Sequence, residues 1–194
     1  MYKLIGISGT NGAGKDTVGQ LLVERHNFVF VSVTDILRES LVAQGLPTDR
    51  DNMRWLSAKW RREEGLGVLV DKAIAVYESS AGKYAGLAMA SLRNPGEADE
   101  IHQQGGTMLW VDANPKLRYE RLQRNLAARG REDDDEVSYQ KFLADEAEEM
   151  YVPAGGDTAM LSMSEVKAKS DVFISNEDQS LDQLDTKLIS ELGL

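Results

Sequence analysis

The chain of 194 residues contains no cysteine, which removes disulfides, thiol catalysis and Cys-ligated zinc from consideration. It also lacks a basic excess, since 22 lysines and arginines face 32 aspartates and glutamates for a formal net charge of −10. Contact with a polyanion normally needs the opposite balance, so neither nucleic acid nor an anionic membrane surface is an expected partner. One phosphorylated small molecule remains open, because it asks only for a local basic cluster. No apolar run approaches the ~20 residues of a membrane span, and no basic-then-apolar leader precedes the first strand pattern. A cytoplasmic enzyme is the default expectation. Hydrophobic content of 42% and charged content of 28% suit one globular domain over residues 1–194.

What is present is concentrated in one stretch. Behind the apolar run Leu4-Ile5-Gly6-Ile7 comes Gly9-Thr10-Asn11-Gly12-Ala13-Gly14-Lys15-Asp16-Thr17. Four residues separate the first glycine from the Gly-Lys pair, which is the spacing of a phosphate-binding P-loop (Walker A), with Asp16 where Ser or Thr is usual. Glycines let successive backbone N–H groups turn toward one anion, and the following helix adds the positive end of its dipole. Gly9, Asn11, Gly12, Ala13, Gly14, Lys15, Asp16 and Thr17 are therefore the candidate nucleotide contacts. Lys15 would reach the β- and γ-phosphates of ATP, and Asp16 or Thr17 would meet Mg²⁺. The helical pattern Val18, Leu21, Leu22, Arg25 supplies the strand, loop, helix order that the mechanism needs.

The rest of the chain alternates strand and helix signals. Strands are expected at 1–8, 28–33, 84–90, 106–112 and 171–175, the second being β-branched and aromatic enough for burial on both faces. Thr34 or Asp35 can cap a helix over Ile36 to Ala43, and 49–64 and 66–79 read as two more, so 34–79 is a helical, acceptor-binding insert. Further helices are expected at 95–104, from Pro115 to about Ala128, from Ser138 to about Met150, and from Leu181 to Leu192, with 153–157 the clearest loop. The acidic run 132–136 reads as a solvated lid, with the lid region spanning 121–137. Trp55 and Trp60 read as packing residues, and His26 and His102 as surface residues without a partner pattern. The fold class is α/β: a three-layer sandwich of P-loop type around a five-stranded parallel sheet in the order 2-3-1-4-5.

Phosphoryl transfer needs alignment, charge neutralisation and exclusion of water rather than covalent work by the protein. Arginines should then reach the loop from several strand ends, where the ligand crevice of an open α/β sheet lies. Arg38 follows strand two, Arg93 follows strand three, and Arg121, Arg124, Arg129 and Arg131 follow strand four. Asp35 could hold metal-bound water, orient the nucleophile or simply cap its helix. Lys15 and Arg131 would stabilise charge on the transferred group, with Asp35 and Arg93 completing the catalytic set.

Three blocks carry a family resemblance. The Gly9 to Thr17 loop, Thr34-Asp35-Ile36-Leu37-Arg38, and Ser91-Leu92-Arg93-Asn94-Pro95-Gly96-Glu97 with Gly105-Gly106 resemble the P-loop nucleoside monophosphate kinases, in particular the deoxynucleoside monophosphate kinase-like branch. The resemblance implies that Thr34, Asp35, Arg38 and Arg93 bind the acceptor and that Arg121, Arg129 and Arg131 belong to a lid closing on ATP. Ser91 stands where the family has a metal-organising Asp. The tail Ala168 to Asn176 is similar to that of dephospho-coenzyme A kinases, where the segment lies by the donor adenine, and so adds Asn176 to the nucleotide contacts. The function implied is ATP- and Mg-dependent transfer to a (deoxy)nucleoside monophosphate. The alternatives are phosphorylation of a ribose hydroxyl on a coenzyme A precursor, with Asp35 as base, or a nucleotide-binding regulator without catalysis. The expected partner is a small-molecule nucleotide acceptor, and the assembly a monomer or homodimer.

Overall fold

The computed structural model describes residues 3–79, 83–124, 138–150, 156–177 and 180–194. Five strands, β1 (Lys3–Gly9), β2 (Phe28–Ser32), β3 (Gly86–Ala90), β4 (Thr107–Asp112) and β5 (Val172–Ser175), form one sheet in the order β2-β3-β1-β4-β5. Each neighbouring pair is parallel, with Ile5 of β1 aligned on Ala88 of β3 and on Thr107 of β4. Nine helices accompany it among the described residues: α1 (Lys15–His26), α2 (Val33–Ala43), α3 (Arg50–Glu64), α4 (Val68–Ser79), α5 (Pro95–Gln103), α6 (Pro115–Arg124), α7 (Tyr139–Met150), α8 (Met163–Ala168) and α9 (Leu181–Leu192). No described helix is long and apolar enough to cross a membrane.

Side chains alternate across a strand, and here the alternation separates two cores. Leu4, Leu87, Met89, Met108 and Trp110 join α2, α3, α4, α5 and α8 on one face, while Ile5, Ile7, Ala88, Ala90, Leu109 and Val111 join α1 and α9 on the other. Gly6 sits between Met89 and Met108 in register, and a Cβ there would lie 2.4 Å from the Met108 sulfur. The absence of a side chain in β1 is what lets the large residues of β3 and β4 fill that layer.

β2 is covered on both faces as expected, although it is an edge strand: Phe28 and Phe30 pack on the smaller core, Val29 and Val31 on the larger. Two other sequence expectations are corrected. α2 begins at Val33 behind Ser32, so Thr34 and Asp35 lie in its first turn rather than at the cap. The histidines do have partners, His26 lying 2.7 Å from Asp185 and His102 2.9 Å from Asp171. Trp60 packs on the larger core, whereas Trp55 is 47% exposed.

Candidate active site

β1 delivers the chain into the loop at Gly9, and α1 takes it away at Lys15. Gly9, Gly12 and Gly14 have φ of 137°, 78° and 92°, a region that side chains resist. Space forbids them as well, because a Cβ on Gly9 would fall 1.9 Å from the Val111 carbonyl oxygen and one on Gly14 2.4 Å from Asn176 Nδ2. Gly14 caps α1 without any side-chain hydrogen bond, which leaves the first backbone N–H groups of the helix directed at the loop's concavity. Lys15 Nζ donates to the carbonyls of Gly9 (2.9 Å) and Thr10 (2.7 Å) and so holds its ammonium over that concavity. Asp16 is exposed beside it and Thr17 half-buried.

The loop is braced by Asp112 and Arg118, which were not expected at the site, and by Asn176 and Arg121, which were expected at the nucleotide instead. Asp112, at the end of β4, accepts from Thr10 Oγ1 at 2.6 Å and from the Ala113 N–H at 2.8 Å. Arg118 of α6 is buried; its Nη1 donates to the Asn11 carbonyl (3.2 Å), its Nε to that of Ala113 (2.8 Å), and it pairs with Glu146 of α7 at 3.0 Å. Asn176 Nδ2 donates to the Ala13 carbonyl at 2.8 Å, and Arg121 Nη1 donates to the Asn176 carbonyl at 2.9 Å. Asn176 thus spends its amide on the loop's backbone. An apolar strand ended by a carboxylate, Leu109 to Asp112, was the available signal for Asp112.

Two adjoining clefts open beside the loop. One of about 630 Å³ is lined by Gly9, Thr10, Asn11, Tyr119 and Phe142, among others, and one of about 720 Å³ by Thr34, Leu37, Met53, Arg54, Ser57 and Ser91. Asn11, Arg50, Arg93 and Glu149 line both. Ser91 has φ +71°, unusual for a residue with a Cβ, and it turns the chain out of β3 so that Arg93 faces the cleft. Arg93 Nη1 donates to Glu149 at 2.7 Å. Thr34 reaches the cleft, but Asp35 and Arg38 pair with each other on the exposed side of the same helix and line neither cleft. Arg124 is a solvated charge, 3.6 Å from Glu120. Arg129, Arg131 and the acidic run 132–136 lie outside the described residues.

Arg50, Arg54, Ser57 and Arg61 were missed, although their spacing places them on one face of α3. Arg61 is buried and bound to Glu97, its Nη2 at 2.6 Å and Nε at 3.1 Å from Oε1. Glu97 is also buried, and its Oε2 accepts from the N–H groups of Arg93 (2.7 Å) and Asn94 (3.0 Å). The helix of the insert is thereby fastened to the turn that carries Arg93.

A parallel sheet of order 2-3-1-4-5 with a Gly-x-x-x-x-Gly-Lys loop between its central strand and a helix defines a P-loop protein of the kinase fold. The chain belongs to the AAA domain family, whose profile matches residues 8–140. It is similar to a UPF0200 protein of Pyrococcus horikoshii, 23% identical over 191 residues, with 96% of this chain and 98% of the relative covered. A UPF0200 protein of Thermococcus gammatolerans is 27% identical over 158 residues, covering 79% and 80%. Among solved structures, shikimate kinase from Bacteroides thetaiotaomicron superimposes with a TM-score of 0.59 at 14% identity over 99% of both chains. A putative kinase from Chloroflexus aurantiacus gives 0.58 at 14% identity over 98% of both chains. At such identities the likeness concerns the fold.

Proposed function

We propose that the protein transfers the γ-phosphate of ATP to an anionic small-molecule acceptor, a (deoxy)nucleoside monophosphate being the acceptor its residues suit best. The observation that carries this reading is the position of Arg93, which lines the cleft reaching Gly9, Thr10 and Asn11 and also the adjoining cleft lined by Arg54. Cations on both sides of a phosphate loop are what two phosphorylated molecules brought together require.

In this reading the loop N–H groups and Lys15 hold the donor phosphates, and Arg93 turns the acceptor toward them. Glycines that admit no side chain leave the backbone able to approach a pyrophosphate closely, so the loop fits ATP. Mg²⁺ typically takes one or two protein oxygens besides phosphate and water, a set that Asp16 or Thr17 can complete. When bound it would neutralise charge between the β- and γ-phosphates. Tyr119 and Phe142 at the cleft wall would keep water from the reacting groups.

Lys15→Ala is expected to lower acceptor-dependent ADP release by a factor of about a hundred or more, with an unchanged circular dichroism spectrum. An active Lys15→Ala enzyme sinks the proposal. The same ADP-release assay, run over nucleoside monophosphates, a coenzyme A precursor and shikimate, identifies the acceptor; tight ATP binding without release for any of them would mark a nucleotide-binding regulator instead.

A further inference from the structure

The basic side of the acceptor cleft already holds an anion belonging to the protein. Glu149 of α7 is largely buried, and its two oxygens are divided between two arginines of different origin: Oε1 accepts from Arg54 Nη2 at 3.0 Å and Oε2 from Arg93 Nη1 at 2.7 Å. Separate guanidinium groups on separate oxygens are how an incoming phosphate would be held. Arg61, close by on the same face of α3, differs in kind because its charge is committed to the buried Glu97. Arg54 and Arg93 meet a carboxylate that stands at the opening between the two clefts and lines both.

We propose that Arg54 and Arg93 form an oxyanion subsite for the acceptor, and that Glu149 is its resident counter-ion, displaced when a phosphate group enters. This rests on the phosphoryl-transfer reading for the identity of the ligand, but the subsite is a matter of geometry and charge. With Glu149 in place the two arginines carry one net positive charge, and with it displaced they carry two. A phosphate near neutral pH brings up to two negative charges and three free oxygens, so it competes against the carboxylate where a monocarboxylate ligand does not. Glu149 thereby sets a threshold of ligand charge, and Arg54 acquires a role in acceptor specificity.

The test is calorimetric titration with inorganic phosphate of the wild-type protein, Glu149→Gln, and Glu149→Gln with Arg54→Ala. Glu149→Gln is expected to bind phosphate about tenfold more tightly, the scale of one charge-assisted interaction released, and to lose that gain when Arg54 is also removed. Unchanged or weaker binding by Glu149→Gln overturns the proposal. So does a gain that survives the loss of Arg54, because the phosphate would then be binding at the P-loop. Glu149→Asp keeps the charge but is too short to span both arginines, and it should fall between wild type and Glu149→Gln; it carries the test if Glu149→Gln does not fold. ATP binding, titrated separately, keeps the two ideas apart. A phosphate gain without any ATP binding would overturn the transfer reading and leave the subsite standing.

Discussion

Glu97 serves four donors with two oxygens, and its own side chain is shielded from solvent. Arg61 sends it two guanidinium N–H groups, and the backbone at Arg93 and Asn94 sends two more. Removing one member of a buried pair leaves the other charge unsolvated, so Glu97→Ala should destabilise the fold by about 3–5 kcal/mol. Glu97→Gln, which can still accept from the backbone, should cost less. Urea unfolding with an unchanged slope and a lower midpoint would check both, and near-wild-type midpoints would contradict the account. The Ser91 to Glu97 block made Arg93 and Glu97 visible in the sequence, because both sit inside one short motif. Arg61 was invisible there, lying 36 residues upstream of Glu97 and reaching it only through the fold. The stripe Arg50, Arg54, Ser57, Arg61 shows in the helical spacing, but that this side of α3 faces the cleft is decided by contacts distant in sequence.

Helix ends show how local chemistry and tertiary packing divide the work. Ser180 caps α9 with a reciprocal Gln183 contact at the surface, and Ser180→Ala should cost about 1 kcal/mol. Asn94 makes the corresponding box at α5, but its amide also donates to the carbonyls of Thr158 (2.8 Å) and Met160 (2.7 Å), so Asn94→Ala should cost about 2–4 kcal/mol. Thermal unfolding of the two variants side by side tests the ordering, and equal shifts would refute it. Elements with strong periodicity and a clear cap, such as α3 and α9, fell where the sequence put them. α8 was not anticipated because its six residues are too few to display a period, and burial of Met163 and Val166 is what holds it. β2 has both faces covered, as its β-branched and aromatic residues imply, but those residues do not say whether a strand has one neighbour or two.

At the scale of the whole molecule, strand order could be read because a phosphate loop, alternating elements and right-handed crossovers leave few arrangements. The cleft could be read only in part: the loop, Thr34 and Arg93 were expected there, but the walls from α3, α6 and α7 depend on long-range contacts. Charge gives a prediction at the same scale. Burial pushes the Asp185 carboxyl up, but hydrogen bonds from His26 and Arg25 outweigh it and leave the group below its ordinary value of 3.8. Asp49 and Asp157 are also lowered, chiefly by the backbone N–H groups of Asn52 and Ala159, while burial and then Glu100 raise Asp71. A depressed carboxyl stabilises the fold above its unfolded value and loses that contribution as pH falls through the folded one. The melting temperature should therefore drop as pH goes below about 4, with Asp71 opposing in part. Asp185→Asn should melt lower at pH 7 and show a shallower acid decline; an unaltered decline would rule Asp185 out as a contributor. The hydrogen bond from Asn176 to Ala13 has a consequence for the order of biosynthesis. Ala13 and Asn176 lie 163 residues apart, so the loop is made long before the amide that braces it. On the phosphoryl-transfer reading proposed above, a nascent polypeptide would gain its full grip on phosphate only once Asn176 has been translated.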